Sequence, residues 1–488
     1  MLRKITKKNV IYYVLLCLIF LLGVFLRTKI FLAKGVFEDD ECRLALSLLE
    51  IHHFKDFFLP LSDAQSAPPF FTLLSFGITR IFGYQELALK TIPYLAGIVS
   101  IFLFYKLCKN YLQNKWVILF GCFIFSINKS LISFVTTFKQ YSTDVFVSLL
   151  CLLILPKLKL EELSKKQLFF LITALALLPL FSIPSVFFIG TFFVLNMYTN
   201  IKNKISIKKI LACIIPFCIV LGLFYYFDLK QSSINMNAVF PGYWNGGFWN
   251  FSFKELIRLL VLNFKFYFYP NSLTLATIIL FFTGILAYAK KKNAQGFFLI
   301  CMFIFVLAAA FFKIYPFANR VGLYFFPVVL LLILKPLEIR NKIVLPLAII
   351  LTLMNYCSYN LAYLKNITSS EHFVKYSPDK LVKIIKEYYN PQKDIILVNN
   401  ASAASYLFYS GKNNFFADDV YEMPINKKNE NNASNYLNSL EKGHGYWIYM
   451  VKDYAKAQIF PLVLDWAKNE NVKQYYKERD SYLLYIER

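Results

Sequence analysis

Seven acidic residues crowd into one short stretch of the chain: Glu38, Asp39, Asp40, Glu41, Glu50, Asp56 and Asp63. The tightest group lies in FEDDECRLALSLLE, residues 37–50. Four consecutive carboxylates repel one another, so the group calls for a cation or a cationic group among them. Helix capping is the competing explanation. Asp39 or Asp40 would cap, Glu41 would fill the first turn, and Leu44, Ala45, Leu48 and Leu49 would form an apolar stripe. Capping accounts for one or two acids and leaves the others unexplained; the two readings combine, because a helix start holds carboxylates rigidly. A second candidate is FKQYSTDVF (138–146), where Asp144 is the only acid between Glu86 and Glu161 and Lys139 lies five residues before it. Asp144 and Lys139 are either functional or a structural ion pair. A third is KIYPFANR (313–320), with Lys313, Tyr315 and Arg320. With four histidines, no HExxH spacing and no CxxC pair, the sequence contains no recognisable metal motif.

The elements that position these residues follow from composition. Hydrophobic residues make up 58% of the 488, aromatic ones 18% and charged ones 17%, against about 25% charged in an average soluble domain. With a mean hydropathy of +0.50, most of the chain belongs in lipid. The net charge of +24 would mark a nucleic-acid partner in a soluble protein, but its distribution excludes that. Residues 365–488 hold 17 basic and 15 acidic residues, so the excess lies in 1–364.

Apolar runs predict about eleven spans, at 10–32, 88–107, 116–132, 142–156, 167–181, 184–199, 210–227, 271–289, 296–312, 321–334 and 343–363. Alternate connecting segments carry 21 basic and three acidic residues, the bias of cytoplasmic loops. The N-terminus is therefore read as cytoplasmic, in a multi-pass protein of the cytoplasmic membrane. The segments 33–87 and 228–270 and the tail are read as extracytoplasmic. SAPPFFTLLSFGITRIFG is read as a helix lying in the outer interface, because counting it as a span would invert the charge bias of every later loop. At membrane depth Asp144 takes a functional role by default. Lys313, Arg320 and Tyr315 fall at the outer ends of two spans, where interfacial anchoring competes with function. The aromatic run FPGYWNGGFWNFSF (240–253) could stack on a sugar or anchor in lipid, with anchoring favoured. DIILV (394–398), GYWIYMV (445–451) and SYLLYI (481–486) read as strands, with helical spacing over 379–389 and 456–468. The expected fold is an α-helical polytopic membrane domain, 1–364, with interfacial helices in its first outer loop. A small extracytoplasmic α/β domain, 365–488, follows it.

The order of these pieces resembles a known family. An acidic DE-x-R group after the first span is followed by a PP-aromatic helix in the same loop. A basic-aromatic-x-x-Asp segment then opens the fourth span, and a late YP…R loop and an α/β tail complete the order. The chain resembles the glycosyltransferase C superfamily, in particular its protein O-mannosyltransferase and aminoarabinose-lipid A transferase members. The resemblance spans 1–364 in outline, with DDECR and SAPPF its most specific pieces. It implies a polytopic enzyme that takes a sugar from a polyprenyl-phosphate carrier. By that resemblance Asp40 is the catalytic aspartate with Glu41 beside it, Arg43 completes the motif, and Asp144 is the second acid. The lipid A-modifying branch has a phosphate-binding lysine before its PP pair; this chain has Ala67 there, leaving Lys139 or Arg320 for that task.

The residue types suit such chemistry. A carboxylate takes the proton of the acceptor. Cations or a divalent metal held by Asp40 and Asp144 steady the departing phosphate, and Lys139, Arg320, Lys313, Tyr315 and Arg43 stand as substrate or phosphate ligands. The expected partners are a polyprenyl-phosphate-linked sugar, an envelope lipid, glycan or protein acceptor, and membrane lipid, with no nucleic acid. The alternative is a transporter or flippase of a lipid-linked or anionic solute; a non-catalytic subunit that binds through its tail is the third reading. Transporters place paired ionisable groups at mid-membrane, whereas here the acids gather at one edge.

Overall fold

The computed structural model describes residues 7–33, 36–203, 207–268, 274–291, 293–338, 378–423, 433–451, 463, 465–468, 470–478 and 481–488. They belong to two compact units. The first comprises Met1–Phe31, His53–Gly77 and Lys90–Thr368; the second comprises Leu32–His52, Ile78–Leu89 and Ser369–Arg488. A single division near residue 364 is therefore too simple. The acidic residues of 37–50, read from sequence as part of a loop of the membrane domain, belong to the same unit as the tail, while Asp56 and Asp63 belong to the first unit.

The first unit is helical. Among the described residues, six helices are long and apolar enough to cross a membrane: Asn9–Ala33, Glu86–Tyr111, Ile207–Val239, Thr274–Lys291, Ala294–Phe311 and Asn319–Glu338. The chain is thus a multi-pass membrane protein. Other expected spans are shorter helices with physical reasons to stop. The apolar helix Lys115–Ile127 ends at Asn128, whose side chain caps the next helix, Lys129–Phe134, by accepting from the Leu131 N–H at 3.0 Å. The Asn128 amide also donates to the Tyr267 carbonyl at 2.8 Å, which fixes the break. Tyr141–Ile154 and Lys165–Leu177 each run on into a 3-10 turn that contains proline, Pro156 and Pro179 respectively, as expected where a residue lacks the N–H that would continue the ladder. The span expected at 343–363 lies outside the described residues.

The second unit carries a five-stranded sheet in the order β2-β1-β3-β5-β4. Its strands are β1 (Asp394–Asn399), β2 (Val420–Met423), β3 (Gly445–Val451), β4 (Asn471–Glu478) and β5 (Ser481–Glu487). β1 pairs with β2 and β3 in parallel, and β5 runs antiparallel to both β3 and β4. β1 is buried at five of its six positions, as a parallel strand covered on both faces should be. The helix Pro378–Tyr388 buries Leu381, Val382 and Ile385 and leaves Lys383 to solvent at i+4 from Asp379, with which it pairs at 2.9 Å. Of the helix expected over 456–468, residues 463 and 465–467 are helical and 468 is a turn; the others lie outside the described residues.

Candidate active site

In the first unit, chemistry-bearing residues gather at the start of the helix Tyr141–Ile154. Asp144 lies in its first turn, 4% exposed. One carboxylate oxygen accepts from the Ser182 hydroxyl at 2.6 Å. A carboxylate has room for about four hydrogen bonds, so most of its accepting capacity is left over. Lys139, also buried, donates its ammonium to the Gln65 side-chain oxygen. Gln140 reaches the Ser66 carbonyl at 3.3 Å. Residues 65–66 directly precede the PP-aromatic helix Pro69–Phe82, so the two motifs are tied together across more than 70 residues.

KIYPFANR meets the same helix start. The Arg320 guanidinium stands 5.7 Å from the centre of the Tyr141 ring, a cation–π distance. Tyr315 packs edge-on to Phe187 at 5.6 Å and to Tyr324 at 6.1 Å. Burial pushes its hydroxyl well above the ordinary tyrosine range, and the charges of Asp144 and Tyr141 add to the shift. Lys313 is exposed and does not join this group. Both ends of the segment hold left-handed backbone, Lys313 at φ 55° and Asn319 at φ 46°; asparagine tolerates that region better than lysine does. Neighbours hold the segment there. The Phe317 N–H donates to the Gly247 carbonyl at 2.8 Å, and the Asn263 amide donates to the Phe317 carbonyl at 2.8 Å. A side chain at Gly247 would come within 2.7 Å of Pro316 and 3.1 Å of Ala318, so only glycine allows the aromatic 240–253 run to approach this closely. Phe240, Tyr243, Phe251 and Phe253 stay exposed around that contact.

In the second unit the acidic group forms the helix Asp39–Leu49. Its start differs from expectation by one residue: Glu38, rather than Asp39 or Asp40, takes the N-cap position. Glu41, 1% exposed, turns its carboxylate back to accept from the Glu38 N–H at 3.2 Å, the return half of a capping box. Asp39 pairs with Arg43 at 2.8 Å. Glu41 and Arg43 are thereby engaged in shaping the helix start, and Asp40 stays half-exposed in its first turn. The buried stripe is Glu41, Cys42, Leu44, Ala45, Ser47 and Leu48, with Leu49 exposed instead of buried.

Asp40 and Asp144, the expected metal pair, thus belong to different units. Among the described residues no three His, Cys, Asp or Glu side chains gather as a metal cluster. Sequence reading passed over Gln65, Ser182 and Tyr141, whose types carry no signal before the fold brings them to Lys139, Asp144 and Arg320. It also passed over Asp228, 4% exposed and bonded to the Ser232 hydroxyl at 2.6 Å. That residue sits in a π-helical turn, Tyr225–Leu229, a feature often found at functional positions.

No family model matches the chain, and no curated protein matches it. Solved structures do. ArnT from Cupriavidus metallidurans, bound to undecaprenyl phosphate, aligns at TM-score 0.58 and 11% identity, over 97% of this chain and 98% of that one. In its apo state ArnT aligns at 0.52 and 11% identity, over 94% and 96%. The Archaeoglobus fulgidus oligosaccharyltransferase, solved with Zn and sulfate, aligns at 0.51 and 12% identity over 96% of this chain and 72% of that one. The chain shares the fold of these two proteins, as the resemblance carried by DDECR and SAPPF implies.

Proposed function

We propose that the chain is an integral-membrane glycosyltransferase that moves a sugar from a polyprenyl-phosphate carrier to an acceptor of the cell envelope, on the outer face of the cytoplasmic membrane. The observation that carries this reading is the helix start at residues 139–144. A buried carboxylate with one hydrogen bond stands there with a buried lysine and a half-buried arginine, within a fold shared with an enzyme solved with undecaprenyl phosphate.

In the reaction, the acceptor hydroxyl or amine attacks the anomeric carbon of the donor. The bond from that carbon to the phosphate oxygen breaks, and polyprenyl phosphate departs with the electron pair. Asp40 takes the acceptor proton. A correctly placed base contributes about 10²- to 10⁴-fold. Lys139 and Arg320 hold the phosphate by charge-assisted hydrogen bonds, stronger than neutral ones as negative charge grows on it. Asp144 orients the acceptor through its remaining acceptor sites. Glu41 and Arg43 set the helix start from which Asp40 projects.

Incubating the purified protein with radiolabelled polyprenyl-phosphate sugars and envelope acceptors, with and without a chelator, tests the reading. Transfer of label to an acceptor is the expected result, and the chelator arm reports on a divalent ion. Counterflow of an intact lipid-linked sugar with no transfer would overturn the proposal in favour of a flippase.

A further inference from the structure

A helix of 11 residues is too short to persist alone in water, so something must hold Asp39–Leu49 in place. Within the second unit its packing partner is the helix Asn400–Lys412 of the tail. Two residues on that helix grip the acidic segment. Tyr409 is fully buried, and its hydroxyl accepts the Phe37 N–H at 2.8 Å, two residues before the first helical turn. Next to it, Phe408 packs against the Phe37 ring at 5.1 Å and the Tyr84 ring at 5.9 Å. The Tyr84 hydroxyl donates to the Ala45 carbonyl inside the acidic helix. Lys412 donates to both Glu86 carboxylate oxygens, at 2.8 and 3.0 Å, and stands 5.5 Å from the centre of the Tyr409 ring. Asp379 lies 3.9 Å from the same ammonium.

We propose that Tyr409 and Lys412 are positioning residues for Asp40: the tail's 400–412 helix sets where the base stands through the Tyr409–Phe37 hydrogen bond and the Lys412–Glu86 ion pair. This rests on the reading of Asp40 as the base. The physical reason is precision. A displacement of about 1 Å in a catalytic group can cost roughly a hundredfold in rate, and a helix this short gains such precision only from a rigid support. Tyr409 fixes the chain just before the helix, Tyr84 fixes its middle, and Lys412 fixes the segment that carries Tyr84. The tail thereby acts on the chemistry without touching substrate.

The test uses the full-length protein in detergent or nanodiscs, with Tyr409→Phe, Lys412→Met, Lys412→Arg and Asp40→Asn. Hydrogen exchange at residues 37–45 should speed up about tenfold in Y409F and K412M, with the β1, β3 and β5 amides unchanged. With undecaprenyl-phosphate-linked hexoses and pentoses as donors, both variants should lose about tenfold in kcat at nearly constant donor KM, and K412R should recover most of that loss. Unchanged exchange at 37–45, or wild-type kcat in Y409F and K412M while D40N is inactive, would overturn the positioning role and leave the glycosyltransferase reading standing. Full transfer by D40N would instead overturn the reading of Asp40 as the base, and this inference with it.

Discussion

Asp144 in the helical unit and Asp394 in the sheet unit are both buried, at 4% and 2% exposure, yet they are treated in opposite ways. Asp394 is well satisfied. It accepts from the Trp447 indole at 3.0 Å, from the Asn390 N–H at 2.9 Å and from the Tyr485 hydroxyl at 3.1 Å. Gly445, opposite it across the β1–β3 pair, has no room for a side chain, since one would collide with the Asp394 carboxylate and the Tyr485 hydroxyl. Asp144 has one hydroxyl. A buried carboxylate with its hydrogen bonds met is part of the scaffold, whereas one left mostly unmet costs free energy that a merely structural site would avoid. Burial alone does not mark a functional acid; the spare accepting capacity of Asp144 is what favours the functional reading proposed for it.

That contrast can be broken by substitution. The largest expected effect is on activity: Asp144→Asn should lower kcat/KM by about 10²-fold or more, with the melting temperature of the full chain nearly unchanged. A large loss of melting temperature in that variant would make Asp144 structural. The reverse pattern is expected for Asp394→Ala. It strands three buried or partly buried donors and should destabilise the sheet unit by about 3 kcal/mol, read as faster hydrogen exchange in β1, β3 and β5. Gly445→Ala should follow with about 1–3 kcal/mol from overpacking, in the same exchange experiment. Smaller still, Ser182→Ala removes the one hydrogen bond to Asp144 and should cost about 1 kcal/mol, measured as a drop of up to tenfold in transfer.

The smallest effect is a pH dependence confined to the sheet unit. Burial alone would raise Asp379, but hydrogen bonds from Lys383 and Asn413 and the charges of Lys412 and Lys383 outweigh it and hold its carboxyl below the usual carboxylate range. A carboxylate whose folded value is depressed contributes its stability above its unfolded value, near 4, and loses it as pH falls through the folded one. The contact of Pro378–Tyr388 with the 400–412 helix should therefore loosen below about pH 4, and Asp379→Asn should remove that acid sensitivity of hydrogen exchange.

How much of this was legible in the sequence follows from whether the signal is local. β1, β3 and β5 announced themselves as runs of Ile, Leu, Val, Tyr and Trp. β2 (VYEM) and β4 (NVKQYYKE) did not, because edge strands carry the charged and polar residues that keep an edge from pairing further. The helix Asn400–Lys412 escaped because NASAASYLFYSGK lacks a clear apolar period and is rich in serine and asparagine, which favour caps and turns. Asp40 was visible in a run of four acids beside the first span, and Asp144 as a lone acid among apolar residues. What holds them was not, since Ser182 is 38 positions from Asp144 and Tyr409 is 372 from Phe37; such pairings belong to the fold. The one-residue error at the acidic helix arose because any of three neighbouring acids can cap, and the Glu41 return bond that selects Glu38 appears only in three dimensions.

Asp40 as the base of a transfer from a lipid-phosphate sugar is open to direct measurement. Its most direct test measures transfer of labelled sugar from undecaprenyl-phosphate donors to envelope acceptors by the purified full chain and by Asp40→Asn, with hydrogen exchange confirming that both are folded. Transfer by the native protein is expected, with at most about one per cent of it in the variant; equal transfer by the two would rule out Asp40 as the base.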